Sequence, residues 1–170
     1  MIKISYKSNL YPNYVCDSIL GIDLQVLKSA GITHIVFDLD KTLVHKGSNS
    51  ISLEYSDFLK TIQKAGFTVI IGSNTRRDLS FLSILLDPIV VAPAGLSYKP
   101  FPSFYRRIIV EAGTSSHHIA MIGDHILNDT IGPNHAGFMT ISVRGMRGKI
   151  SPFYRAYLNF AFRHAHHSAK

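Results

Sequence analysis

The stretch THIVFDLDKTLV, Thr33 to Val44, decides the fold. Ile35, Val36 and Phe37 run without a break into Asp38 and Asp40, which are separated by Leu39 alone. A continuous apolar run of this kind reads as a strand buried on both faces rather than one with a wet side. Such a strand delivers two carboxylates to its end. Placed that close they repel each other, and each loses hydration in an interior. A cation should therefore lie beside them, or one of them should carry a proton.

Working outward, the chain alternates between helical and extended patterns. Residues 53–66 place Leu53, Phe58, Leu59 and Ile62 at helical spacing and end on Gly66, a helix-stopping glycine. FTVIIGS (67–73) predicts a second strand, and TRRDLSFLSILL (75–86) a short helix opened by Arg76 and Arg77. IVVA (89–92) predicts a third strand and SFYRRIIVEAG (103–113) a helix. IAMIGD (119–124) predicts a fourth strand. ILNDTIGPNHAG begins with a helical turn that should stop at Gly132 and Pro133, and FMTISV (138–143) predicts the fifth strand. Unbroken apolar strands with helices between them imply one α/β domain: a mainly parallel, Rossmann-like sheet with helices on both faces.

Composition narrows the class. The chain has 170 residues, 46% of them hydrophobic and 17% charged, which fits one globular domain with a real core. Its one cysteine excludes an intramolecular disulfide framework and suits a reducing compartment. No run reaches 18 apolar residues and the N-terminus lacks an apolar signal region, so the expectation is a cytoplasmic protein without a transmembrane span. A formal charge of +7 favours anionic partners: phosphates, nucleic acid or an anionic lipid surface. No nucleic-acid recognition motif is present.

Parallel sheets bind ligands beyond the C-terminal ends of their strands. The first strand ends at Asp38 and Asp40, the second at Ser73 and Asn74, and the fourth at Asp124; Lys99 follows the third. Asp38, Asp40 and Asp124 offer hard oxygen ligands of the kind magnesium takes. A carboxylate can attack phosphorus, and a second one two residues on can protonate the leaving oxygen and later deprotonate water. Ser73 and Asn74 can hydrogen-bond phosphoryl oxygens, and Lys99 can neutralise the charge that accumulates there. Arg76 and Arg77 stand equally well as phosphate contacts or as solvated side chains. His117 and His118 precede the fourth strand, at the wrong end for the site, and read as loop residues.

DLDKTL, VIIGSN, KPFP and IGDHILND, in this order along residues 34–130, resemble the four motifs of the haloacid dehalogenase (HAD) superfamily of phosphohydrolases. The resemblance implies Asp38 as nucleophile and magnesium ligand. It implies Asp40 as general acid and base, with its backbone carbonyl on the metal. Thr42 would support the nucleophile loop and the phosphate site, Ser73 would bind the transferring phosphoryl group, and Lys99 would hold the phospho-aspartate. Asp124 would be a metal ligand, and Asp129 would support it or orient Lys99. A narrower resemblance, carried by LYPNYVCDSILGIDLQVLKSAGITHIVFDLDKTLV, KPFPSFYRR and GDHILNDTIGPNHAGFMTISV, is to the YqeG-type subgroup (HAD subfamily IIIA). That subgroup includes phosphatidylglycerophosphate phosphatases. Lys41 departs from it, standing where asparagine is expected.

Only VHKGSNSISLEY separates Val44 from the next helix. That is a loop and leaves no room for a large cap domain. An open site suits a phosphate carried by a lipid, a protein or a nucleic acid end. The alternative is a small substrate enclosed by a neighbouring subunit of a homo-oligomer. The core domain is expected over residues 1–150. Residues 151–170 predict an amphipathic helix, with Phe153, Tyr157 and Phe160 on one side and Arg155 and Arg163 on the other, followed by a basic, histidine-bearing tail. Such a helix packs on the core or lies peripherally on a membrane.

Overall fold

The computed structural model describes residues 1–3, 8–82 and 88–144, together with residues 155, 156 and 159. Seven strands form one sheet: β1 (Ile2–Lys3), β2 (Tyr14–Cys16), β3 (His34–Phe37), β4 (Thr68–Gly72), β5 (Ile89–Val91), β6 (Ile119–Gly123) and β7 (Met139–Val143). Their spatial order is β1-β2-β7-β6-β3-β4-β5, and only the β1–β2 pair is antiparallel. β3, the strand that carries the aspartates, is central. Ile35 stands opposite Val69 of β4 and Ala120 of β6. The five predicted strands are β3 to β7. β1 and β2 are two and three residues long, too short to make an apolar run that the sequence pattern would register.

The pleat divides the core into two. Ile35 and Phe37 point into one apolar cluster, and Val36, between them, points into the other. Helices α1 (Leu24–Ser29) and α2 (Leu53–Lys64) cover the first face with Leu27, Leu59 and Ile62. Helix α3 (Pro102–Ala112) covers the second with Phe104, Tyr105 and Ile108. Each of these buried side chains contributes on the order of 1.5–3 kcal/mol by leaving water. Local signals set the helix ends. Ser52 Oγ accepts from the Tyr55 N–H at the start of α2, and Gly66 follows its last turn with φ +92°.

Two expectations are corrected. Residues 75–79 are a loop, and helix begins only at Ser80; the rest of the predicted 75–86 helix lies largely outside the described residues. Short side chains capture the backbone here: Ser73 Oγ accepts from Thr75 N, Thr75 Oγ1 from Arg77 N, and Asp78 Oδ1 from Ser80 N. Arg76 and Arg77 are therefore loop residues. Nor does the turn after β6 stop at Gly132 and Pro133. A π-helical turn, Ile126–Ile131, passes directly into helix α4 (Gly132–His135), where Pro133 sits in the first turn and its missing N–H costs nothing.

No cap domain interrupts the segment between β3 and α2, so the molecule is a single α/β domain over a mostly parallel sheet. No helix among the described residues is long and apolar enough to cross a membrane. Arg155, Ala156 and Asn159 are helical and exposed. The remainder of the expected C-terminal helix and tail lies outside the described residues.

Candidate active site

The sheet ladder extends one residue past β3, because Asp38 N donates to Ile122 O at 2.8 Å. That bond fixes the backbone of Asp38 at the C-terminal edge. The chain then folds into a tight turn in which Leu43 N and Val44 N both donate to Leu39 O, and Lys41 N to Val44 O. Lys41 adopts φ +70°, a left-handed conformation that costs a side-chain-bearing residue roughly 1–2 kcal/mol. The turn sends Asp38 and Asp40 in different directions.

Asp38 meets Lys99. The Lys99 Nζ donates to Asp38 Oδ1 at 2.6 Å and to Asp129 Oδ1 at 2.8 Å, and all three residues are buried. Asp124, also buried, completes the group: one carboxylate oxygen from each of Asp38, Asp124 and Asp129 lies within 4.8 Å of the others. Asp129 is held from behind by the His125 N–H, which donates to its Oδ2 at 3.0 Å. The π turn that follows Asp124 carries Asp129 back beside it. Gly123 is required by this approach, since a Cβ there would stand 2.4 Å from the Asp129 carboxylate.

These positions have electrostatic consequences. Burial pushes the Asp38 carboxyl up to about 6, with the Asp129 charge adding to the rise and Lys99 opposing it. Burial likewise raises Asp129, against the pull of Lys99. Burial alone would lower Lys99, but Asp129 and Asp38 outweigh it and hold the ammonium charged. Three buried carboxylates against one buried ammonium leave an excess of negative charge. Their oxygens are hard donors grouped in a small space. This donor set fits a divalent cation, and the triad could hold one.

Asp40 is elsewhere. Its carboxylate faces Arg77, whose Nη1 stands 2.9 Å from Oδ1 and 3.0 Å from Oδ2, and its Oδ1 also accepts from Gly47 N at 2.8 Å. Asp40 therefore brings no side-chain oxygen to the triad, where Asp129 takes the third place. An expected role for Asp40 on a metal rests on its backbone carbonyl alone. Ser73 is buried at the end of β4 and opens onto the same cavity as Asp38. Asn74, expected at a phosphoryl oxygen, lines the cavity and also brackets the lysine loop: Nδ2 donates to Lys99 O at 2.8 Å, and Oδ1 accepts from Lys99 N at 2.7 Å. Thr42 is buried off the cavity lining, and its Oγ1 has no hydrogen-bond partner among the described residues.

The resulting cavity is open, of about 410 Å³. Asp38, Ser73, Lys99, Asp124 and Asp129 lie along it, and Lys41, Lys46 and Arg77 add cations. The pairing of Arg77 with Asp40, and the presence of Lys46, Gly47, His125 and Asn128 in the lining, are beyond what strand-end reasoning registers. They depend on how loops fold back over the sheet edge.

Comparison with known proteins bears on this site. Residues 98–153, from just before Lys99 to past β7, match a family model described as HAD-hydrolase-like. The chain is 25% identical over 138 residues to a Bacillus subtilis protein named "Probable phosphatase YqeG", covering 81% of this chain and 78% of that one. Among solved structures, it resembles the cobalt-bound deoxy-D-mannose-octulosonate 8-phosphate phosphatase of Haemophilus influenzae, with TM-score 0.52, 19% identity and coverage of 68% of this chain and 70% of that one. It also resembles a HAD-like family hydrolase of Porphyromonas gingivalis, with TM-score 0.53, 14% identity and coverage of 74% and 98%. The structural likenesses bear on the fold, while the ordered motifs and the sequence matches bear on the family. The family-model match, the relative and the fold agree on a HAD-like hydrolase of the phosphatase type.

Proposed function

We propose that this enzyme hydrolyses phosphomonoesters through an aspartyl-phosphate on Asp38, with magnesium as its metal. The observation that carries the reading is the Lys99 ammonium, set between Asp38 and Asp129 in a buried group of three carboxylates. In this scheme an Asp38 oxygen attacks phosphorus as the ester P–O bond breaks. Asp40 gives a proton to the departing oxygen. Asp40 then takes a proton from water, and that water attacks the phospho-aspartate and releases inorganic phosphate. Lys99 and Ser73 hold the phosphoryl oxygens, and Asn74 fixes the lysine backbone. Asp38, Asp124 and the backbone of Asp40 would hold magnesium, with Asp129 supporting; bound there, the ion offsets the charge of the carboxylates and of the phosphoryl group.

For substrate, we propose a phosphate carried on a phospholipid, phosphatidylglycerophosphate, met at a membrane surface that the domain does not span. The YqeG-type motifs, the cap-free cavity and the +7 charge support this. The domain would comprise residues 1–150, and residues 151–170 would add an amphipathic, basic element. The same cavity also suits a nucleotide, a sugar phosphate or a phosphoprotein. A phosphate-release screen separates the two readings. Lipid and soluble phosphomonoesters are compared with magnesium, with and without anionic liposomes. Turnover of the lipid at least tenfold above every soluble ester supports the lipid reading. Faster turnover of a soluble ester overturns it.

A further inference from the structure

Arg77 and Asp40 are 37 residues apart in sequence, and neither lies in a helix or strand. The guanidinium is nevertheless tied at two places. Nη1 spans both oxygens of Asp40 at 2.9 and 3.0 Å, while Nη2 donates to Ser48 O at 3.0 Å. Gly47 N, from the same 45–48 loop, donates to Asp40 Oδ1 at 2.8 Å. Three segments thus meet at one carboxylate: the turn after β3, the loop that follows it and the loop after β4. Both side chains are largely covered, at 21% and 26% exposure, and both line the cavity. The backbone turns through Ser73 and Thr75 are what aim Arg77 there instead of letting a helix carry it away.

From this geometry we infer that Arg77 is a positioning residue for Asp40, holding the acid/base carboxylate, together with the 45–48 loop, in line with the departing oxygen. The inference rests on the role given to Asp40 above. A free aspartate on a loop samples several rotamers, and proton transfer needs the donor within hydrogen-bond reach of the leaving oxygen. The guanidinium grips Asp40 with Nη1 and Ser48 O with Nη2, a tether at two places that one ammonium nitrogen does not reproduce. Arg77 is not a catalytic residue in this account, since it acts through Asp40.

The test uses leaving groups. An alkyl phosphate departs as a poor leaving group and needs a proton; p-nitrophenyl phosphate departs without one. kcat/KM covers the steps up to cleavage of the ester bond. Arg77→Ala should lower kcat/KM for an alkyl phosphate by roughly 10- to 100-fold, and for p-nitrophenyl phosphate by at least about tenfold less. Arg77→Lys should recover part of the loss. In an Asp40→Asn background, Arg77→Ala should add almost nothing, because the group it positions has lost its function. Melting temperatures show that each variant is folded. Equal losses on both esters, or an undiminished Arg77→Ala loss in the Asp40→Asn background, overturn the inference and leave the acid/base reading intact. An Asp40→Asn enzyme with full kcat/KM on the alkyl ester removes the acid/base reading and this inference with it.

Discussion

Lys99 Nζ lies 2.6 Å from Asp38 Oδ1, so the residue expected to attack phosphorus is engaged by a buried ammonium. The contact does not fully compensate the carboxylate. Asp38 titrates near 6 in the folded chain against 3.8 ordinarily, burial being the main cause. The folded state therefore binds this proton more tightly than the unfolded one. Stability is lost as pH rises from about 4 to about 6, and the full cost, on the order of 3 kcal/mol, persists above that.

Asp38→Asn should accordingly stabilise the chelator-treated protein while lowering phosphatase turnover by roughly 10³-fold or more, since an amide is no nucleophile. The gain in melting temperature should be absent near pH 3.5, grow to about pH 6 and level off beyond. Thermal melts across this range in EDTA check it. A gain that shrinks with rising pH, or a variant with near-wild-type turnover, contradicts the account.

Lys99→Met should do the opposite. It leaves Asp38 and Asp129 buried together with no compensating cation, a loss of about 3–5 kcal/mol. In a chain of this size that corresponds to a fall of about 10 °C in melting temperature. Magnesium should recover more of the loss in this variant than it adds to the wild type, because the ion supplies charge where the ammonium was. Equal magnesium shifts in the two proteins would argue against a shared electrostatic site.

The strand-and-site plan is legible in the sequence because its signals are local. An unbroken apolar run ending in Asp38, another ending in Ser73 and a third ending in Asp124 each announce both the strand and the group at its end, and parallel topology puts those ends on one edge. Asp129 is marked by the fourth motif as a support for Asp124 or for Lys99, and it does meet Lys99 Nζ. Its place in the triad depends on the π turn, whose wide hydrogen-bonding no residue pattern marks. Asn74 is legible as a cavity residue because it follows Ser73, whereas its bonds to the Lys99 backbone, 25 residues away, are not. Arg77 hides for the same reason. Its periodicity reads as a helix start, and the small turns of Ser73, Thr75 and Asp78 override it.

Gly123→Ala tests the packing beneath the triad. The added methyl would stand 2.4 Å from the Asp129 carboxylate, which is pinned by Lys99 Nζ and His125 N and cannot retreat without losing one of them. Overpacking of this kind costs about 1–3 kcal/mol. The variant should melt several degrees lower and lose turnover, although the added atom meets no substrate. Unchanged activity and melting temperature would show that Asp129 is not tied as described.

Removal of the metal is the last prediction. Carboxylate oxygens of Asp38, Asp124 and Asp129 gather within 4.8 Å, and one ammonium does not neutralise them. Magnesium should therefore raise the melting temperature of the EDTA-treated protein. At a concentration of about 100 times its Kd it should add about 2.7 kcal/mol. Asp124→Asn removes one charged donor without touching Lys99's hydrogen bonds, so it should lose most of that shift and the activity with it. Calcium should restore melting temperature better than turnover. It accepts looser and higher coordination, which neutralises the carboxylates without holding the phosphoryl group in line with Asp38. Activity that survives chelation, or a magnesium shift in Asp124→Asn equal to that of the wild type, would separate the triad from metal binding and return its excess charge to a matter of protonation alone.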